Sequence, residues 1–255
     1  MTRTVGSDEA IHTWELYPHM IQWHQHHRQF VSKSSAGRPR VHINAMLITC
    51  AATMVEGAVS SLLLFYLEGS DSPYCEGIKY GDPVSSFHER NRQELINKVR
   101  RGTWKDHKGL FSTVTGQSLP NILESDWVLL DYLFQFRNLL AHGETIRVKG
   151  VWVPEKGLGL ASVKRNKESL FGHLEKEGFI SEPIFGKPMG WSFLADEVAD
   201  HFIEIARRSV ERLASVAPDT DYENTFPKRL KQILMATGRP DPPDLKLLYS
   251  IDNKT

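Results

Sequence analysis

The sequence has few cysteines, no net charge and no apolar leader. Its two cysteines, Cys50 and Cys75, form no Cys-x-x-Cys pair, which argues against a disulfide scaffold or a structural zinc site and fits a reducing compartment. Basic and acidic residues both number 31, so the chain lacks the global basic field of a nonspecific nucleic-acid coat protein. The first residues carry no apolar signal-peptide core, and we expect a cytoplasmic protein.

Several catalytic signatures are also missing. No Gly-x4-Gly-Lys-Ser/Thr phosphate loop occurs, and no glycine–serine spacing has the context of a nucleophile elbow. No carboxylate cluster or His-Cys spacing suits a metal ion, so we expect neither a metal nor a cofactor. What the 255 residues do provide is an ordinary globular composition, 40% hydrophobic and 24% charged, which is enough to bury a core.

One long apolar run, residues 43–67, could belong to a membrane or to a protein core. Glu56 lies near its middle, where a charge costs about 2.5–3.5 kcal/mol in a bilayer. Asn44, Thr49 and Thr53 add further polar groups. We therefore predict a central helix that is buried on most sides within a bundle, and no membrane partner.

The chain divides into three predicted regions: a helical arm at 1–40, a helical domain at 41–217, and a short helix with a tail at 218–255. Apolar residues that recur every three or four positions predict the helices of the domain, at 42–68, 87–101, 104–114, 119–141 and 191–216. In the arm, Pro18 should interrupt a helix or open a second one. Residues 168–190 give no clear pattern.

The helical pattern breaks at about 144–163. Hydrophobic residues alternate with period two over 145–153, which predicts strands on either side of a turn at Lys149-Gly150, and residues 158–163 could add a third short strand. We expect a small β-hairpin or β-sheet insertion rather than a second domain. The predicted fold class is mainly α, a helical bundle that carries this insertion.

The most informative segment is Phe136-Arg-Asn-Leu-Leu-Ala-His-Gly143, at the predicted end of a helix. Asn138 and His142 are four residues apart and share one face, and the long side chain of Arg137 can swing toward them. A planar cation, an amide and an imidazole then converge. Gly143 is a typical helix stop.

This combination of side chains suits cleavage of RNA without a metal ion. The ribose 2′-OH is the internal nucleophile, so the protein need not supply one. A histidine can serve as acid or base near neutral pH, and an arginine can meet the negative charge that develops on the phosphorus. DNA lacks this hydroxyl and its cleavage usually requires metal ions, so the residues favour RNA.

The arrangement Arg137-Asn138-x3-His142 resembles the Arg-polar-x3-His signature of the HEPN superfamily, a group of helical nucleases. The long helix with Glu56 at mid-length is similar to the first core helix of such domains. The similarity covers about residues 41–143 and 191–216, which makes 41–217 a HEPN-like domain. The arm and the β segment depart from the family pattern.

The resemblance implies a bundle of four or five helices that forms a homodimer, so that two motifs face one cleft. It also implies metal-independent endoribonuclease activity in a toxin or phage-defence setting, with RNA as substrate and an antitoxin or regulatory protein as a further partner. His142 would act as acid or base, Arg137 would stabilise the phosphorane, and Asn138 would position the phosphate or the histidine. Cleavage through the 2′-OH would leave a 2′,3′-cyclic phosphate.

Each of these residues also has a plain structural interpretation. Arg137 and His142 could cap the last turn of their helix, because basic groups stabilise its free carbonyls. Glu56 could orient the site by pairing with Arg137, or be a buried carboxylate satisfied by local partners. Lys98 and Arg101 could bind an RNA backbone or be solvated surface.

A histidine-rich stretch of the arm has two interpretations of its own. His19, His24, His26 and His27 could form a metal site, or lie on a solvated helix face. For the protein as a whole, the alternative to a nuclease is a non-catalytic helical module that binds a nucleotide or a partner protein.

Overall fold

The computed structural model describes residues 13–31, 38–68, 83–142, 148–153, 157–163, 168–179 and 193–217. Within these ranges the chain is mainly helical, which confirms the predicted fold class at that level. The helices are α1 (Leu16–Phe30), α2 (Arg38–Glu68), α3 (Pro83–Arg101), α4 (Trp104–Thr115), α5 (Leu119–Leu123), α6 (Asp126–Ala141), α7 (Glu168–Lys176) and α8 (Asp196–Val216). The start of the arm and the helix predicted after residue 227 lie outside these ranges.

Helix α2 lies at the centre of the fold. It contacts α1, α3, α4, α6 and α8, and it is apolar on nearly every face, as a surrounded helix requires. Leu47, Ile48 and Leu63 are fully buried. By length and composition the stretch Arg40–Glu68 is apolar enough to span a bilayer, but 67% of its most apolar window is buried inside the protein. Helix α2 is therefore buried as the central helix of the bundle.

The arm is held on α2 by a close contact at Gly57. The 3-10 turn Thr13–Glu15 precedes α1 and contacts α2, and its Trp14 is buried. A Cβ added at Gly57 would lie 2.3 Å from the Cβ of Trp14, so this approach requires glycine. Pro18 lies in the first turn of α1, where its missing N–H breaks no helical bond, and so it opens the helix.

The prediction of one continuous helix over 119–141 is wrong, because α5 and α6 are separate. Glu124 lies between them with φ 51° and ψ −125°, a conformation that residues other than glycine rarely adopt. Its amide donates to the carbonyl of Pro120 at 2.9 Å and closes α5. The Glu124 carboxylate pairs with Arg212 of α8 at 3.1 Å. Contacts with α8 thus support a break that helical periodicity does not reveal.

Three other boundaries differ from prediction. Helix α2 begins at Arg38 rather than at residue 42, because Pro39 is compatible with a first helical turn. Helix α3 begins at Pro83 rather than at Phe87 for the same reason. Helix α8 begins at Asp196, several residues after the predicted start, because Ala195 before it is extended.

Two antiparallel strands, β1 (Val148–Val153) and β2 (Gly157–Val163), lie within the range where a β segment was predicted. The predicted turn at Lys149-Gly150 is wrong. Strand β1 includes both residues, and its pairing register with β2 shifts between them, as at a β-bulge.

A buried polar cluster joins α1, α2 and α8. The guanidinium of Arg28 donates to both carboxylate oxygens of Asp200, at 2.6 and 2.9 Å, and to Asn44 at 3.1 Å. Arg40 binds the Asp196 carboxylate through Nε, at 2.8 Å to each oxygen, and through Nη2. The amide of Asn44 also donates to Asp196 at 2.9 Å. We call these five residues the polar clamp, because they connect the first and the last described helices.

Candidate functional site

The candidate site lies at the C-terminal end of α6. Five apolar side chains of this helix are buried and fix its orientation: Leu130, Leu133, Phe134, Phe136 and Leu139. Asn138 and His142 are exposed. His142 is the residue that ends α6, and its backbone N–H donates to the carbonyl of Asn138 at 3.0 Å. The motif is therefore presented at the protein surface.

Arg137 makes the contact that was proposed for it from the sequence. Its Nη2 donates to Oε2 of Glu56 on α2 at 2.9 Å, and both side chains are about one-fifth to one-quarter exposed, at 24% and 20%. The Cζ atom of Arg137 lies 5.5 Å from the ring centroid of Phe134. Glu56 and Phe134 together restrict the guanidinium to one position beside the end of α6.

The Arg137 guanidinium keeps unused donors. A guanidinium has five N–H groups, and the ion pair with Glu56 uses one of them. Its Nε is buried and has no hydrogen-bond partner within the described part of the chain. This atom is out of reach of a ligand, but the side chain as a whole is 24% exposed, so a phosphate can approach other donors of the guanidinium. The arrangement can therefore present hydrogen-bond donors, an amide and an imidazole to a phosphate.

A row of aromatic rings and one further cation extends from the site toward α4. The ring of Trp104 stacks on that of Phe134, with centroids 4.3 Å apart and planes inclined by 10°. Lys108 Nζ lies 5.8 Å from the Trp104 centroid and 5.1 Å from that of Trp127, and pairs with Asp131 at 2.7 Å. Nothing in the sequence indicates that Trp104 lies near the motif, because the contact depends on how α4 packs on α6.

Lys98 and Arg101 are not part of the Arg137–Glu56 pair. They line a groove between the end of α3 and the start of α4. The groove has a volume of 610 Å³, and Lys98, Arg101 and Lys105 line it together with the acidic residue Asp106. The backbone amide and the hydroxyl of Thr103 both donate to Asp106 at 2.8 Å, and these bonds lower the pKa of its carboxyl. Three basic side chains against one carboxylate give the charged lining of the groove a net positive charge.

The structure brings two of the predicted site residues together and leaves two elsewhere. Arg137 and Glu56 are in direct contact, with Asn138 and His142 at the same end of α6. No hydrogen bond or ion pair is seen between Lys98 or Arg101 and this group within the ranges given above. His19, His24, His26 and His27 lie on α1, where the ring of Trp23 contacts His24 and His27 at 4.9 and 5.4 Å.

No protein-family model matches this chain, and no curated protein or solved structure is significantly similar to it. The local motif and its geometry therefore carry the functional argument.

Proposed function

We propose that the protein is a metal-independent RNA endonuclease of the HEPN type. His142 acts as general acid or base, Arg137 stabilises the negative charge of the phosphorane, and Asn138 positions the phosphate or the histidine. The 2′-oxygen attacks the adjacent phosphorus, the bond to the 5′-oxygen breaks, and a proton passes to that leaving oxygen. The products are a 2′,3′-cyclic phosphate and a free 5′-hydroxyl.

The observation that carries this proposal is the pairing of Arg137 with Glu56 beside two exposed polar side chains. A carboxylate that holds one edge of a guanidinium fixes the direction of its remaining donors, which is the preorganisation that transition-state stabilisation needs. Asn138 and His142 are accessible to a large substrate. A cap that served only the helix would not need a carboxylate partner on α2.

The basic groove supports RNA as the substrate. Lys98, Arg101 and Lys105 are exposed on one side of the same helical domain and could neutralise phosphates of the RNA backbone. A chain with zero net charge needs such a local patch to hold RNA. We propose that RNA binds this groove and reaches the motif at the end of α6.

The proposal extends to assembly and to cellular role. Two copies would form a homodimer in which the two motifs face one cleft, in a cytoplasmic protein of a toxin or phage-defence system. An antitoxin or regulatory protein would hold the nuclease silent until it is needed. These statements rest on the resemblance to the HEPN superfamily.

One observation favours a different function, a non-catalytic module that binds a nucleotide or a protein. Glu56 already neutralises the charge of Arg137, so the pair alone attracts an anion less than a free arginine would. A module of this kind needs the cleft but no turnover. The two functions would use the same cleft, and only the nuclease would cleave RNA.

Labelled RNA incubated in EDTA with the purified protein tests the proposal. We expect the wild type to produce 2′,3′-cyclic phosphate ends, and the double variant Arg137→Ala/His142→Ala to lose at least about 100-fold in rate, as the removal of acid–base catalysis does. A matched control is His88→Ala/Arg90→Ala, which removes an exposed histidine and an exposed arginine from α3.

The control variant should cleave at the rate of the wild type. Intact RNA after incubation with folded wild-type protein would overturn the nuclease proposal and favour the binding module. Cleavage that persists in the motif variant would assign the activity to other residues. Circular dichroism establishes that each variant is folded before its rate is compared.

A further inference from the structure

Two histidines face each other across the contact between α7 and α8. Nε2 of His173 lies 3.2 Å from Nε2 of His201, and their ring centroids are 5.4 Å apart. The ring of Tyr132, on α6, stacks on His173 with centroids 5.0 Å apart, and Phe179 lies 4.8 Å from His201. Rings on both sides therefore restrict the directions in which the two nitrogens point.

This separation matches that of two ligands on one tetrahedral zinc ion. Zinc binds histidine nitrogen at about 2.0–2.1 Å, so two ligands at the tetrahedral angle are roughly 3.3 Å apart. The observed 3.2 Å is close to this separation, and each ring must turn by about 35° so that its lone pair points at the ion rather than at the other nitrogen. Without a metal, the same distance permits one N–H···N hydrogen bond. On metal binding the donor histidine moves its proton from Nε2 to Nδ1, and both lone pairs become free.

Burial of the two rings favours their neutral form. Burial lowers the pKa of His173, and burial together with the neighbouring His173 lowers the pKa of His201. Neutral imidazole is the form that binds zinc, so burial acts in the direction that favours binding. Charges of both signs act on the rings: the carboxylates of Glu177 and Asp126, and the cations of Lys176 and Arg208.

We propose that His173 and His201 bind one zinc ion, or a similar late first-row divalent cation, through their Nε2 atoms. Imidazole suits this class of metals. No group of three or more histidine, cysteine or acidic side chains is placed to hold a metal anywhere in the described ranges, so the ion keeps positions for water or an outside ligand. The ion ties α7 to α8 and plays no part in the proposed RNA cleavage, which does not depend on metal.

Zinc titrated by calorimetry into untagged, chelator-stripped protein tests this site. We expect one equivalent of Zn²⁺ to bind per chain, and His173→Ala/His201→Ala to weaken binding by at least about tenfold, since losing even an outer-shell partner of a ligand costs this much. The matched control is His26→Ala/His27→Ala, which removes two exposed histidines from α1. It should bind Zn²⁺ like the wild type.

A second readout separates a specific site from weak surface binding. Co²⁺ bound in tetrahedral geometry gives a visible absorption band, which we expect for the wild type and for the α1 control, but not for the double variant. His173→Gln, which keeps a polar side chain of similar reach, serves if the alanine variant fails to fold.

The proposal is overturned if the wild type binds no Zn²⁺ at 100-fold molar excess. It is also overturned if the His173 and His201 variants bind Zn²⁺ as tightly as the wild type. Either result leaves the nuclease test unaffected, because that test is run in EDTA.

Discussion

Gly57 shows how a single hydrogen atom in place of a side chain positions the arm. The Cβ of Trp14 occupies the space that any side chain at position 57 would need. The sequence predicted a helical arm at 1–40, but not the surface of α2 on which its Trp14 packs. Periodicity identifies which residues are buried and cannot identify the surface that buries them.

Gly57→Ala should therefore destabilise the protein, although alanine is the better helix former. We expect a loss of about 1–3 kcal/mol from overpacking, larger than the gain of about 1 kcal/mol in helix propensity. Urea unfolding measures the difference in free energy. The control is Gly109→Ala on α4, where an added Cβ meets nothing within 4 Å and should stabilise. Equal effects at both positions would contradict the contact.

The candidate site could be predicted from the sequence in part. Pairing with Arg137 was one of the two interpretations of Glu56, and in the structure Arg137 Nη2 lies 2.9 Å from Glu56 Oε2. Trp104 beside Phe134 and the pair His173–His201 were not suggested. Each of these depends on the packing of helices that the sequence leaves unordered in space. The catalytic roles of Arg137, Asn138 and His142 stay predictions.

At the scale of helices and strands, long periodic segments were predicted well and short or broken ones were not. The apolar period located α2, α3, α4 and α8. It missed the break at Glu124, because a positive φ leaves no periodic trace. It also missed α7, which has only nine residues and lies where no pattern was found.

The polar clamp should contribute measurable stability to the packing of α1, α2 and α8. Asp196→Asn removes the carboxylate that pairs with Arg40, and we expect a loss of about 1.5–3 kcal/mol, the range for hydrogen bonds to a charged group, since the pair is partly buried. Urea unfolding at neutral pH measures it. The control on the same helix is Glu211→Gln, which removes an exposed pair with Arg207 and should cost less than about 1 kcal/mol.

The clamp also predicts acid sensitivity. Burial alone would raise the pKa of Asp196, but hydrogen bonds from Arg40 and Asn44 and the charges of Arg28 and Arg40 lower it overall. A lowered carboxyl pKa stabilises the folded state fully above the ordinary value of 3.8 and loses that effect as pH falls through the lower folded pKa. Between pH 5 and pH 2 the wild type should therefore lose more stability than Asp196→Asn. Parallel acid curves for the two proteins would contradict this.

At the scale of the whole molecule, the mainly helical class was predictable and the way the chain closes was not. Composition and period indicate a bundle around one apolar helix. The contacts of Arg28 with Asp200 and of Arg40 with Asp196 span 172 and 156 residues, so nothing local in the sequence marks them as partners. Such long-range pairs are known only when the helices are in place.

The proposed nuclease should be a homodimer in solution. Light scattering coupled to gel filtration should give twice the mass of the chain, for the wild type and for Arg137→Ala/His142→Ala alike, because the motif residues act on RNA and not on folding. A monomer at micromolar concentration would contradict the cleft formed by two motifs. If that monomer still cleaved RNA, the proposed nuclease activity would stand without the dimer.

Because the polar clamp joins residues far apart in the chain, it can form only late in synthesis on the ribosome. Asp196 is synthesised 156 residues after Arg40, which at about 5–20 residues per second is an interval of roughly 8–30 seconds. For most of that interval α2, the most apolar helix, is complete and α8 has not been made. A ribosome that stalls before residue 196 therefore releases a chain in which α2 can pack against α1, α3, α4 and α6 but lacks its contacts with α8, and that exposed side is open to chaperones and proteases.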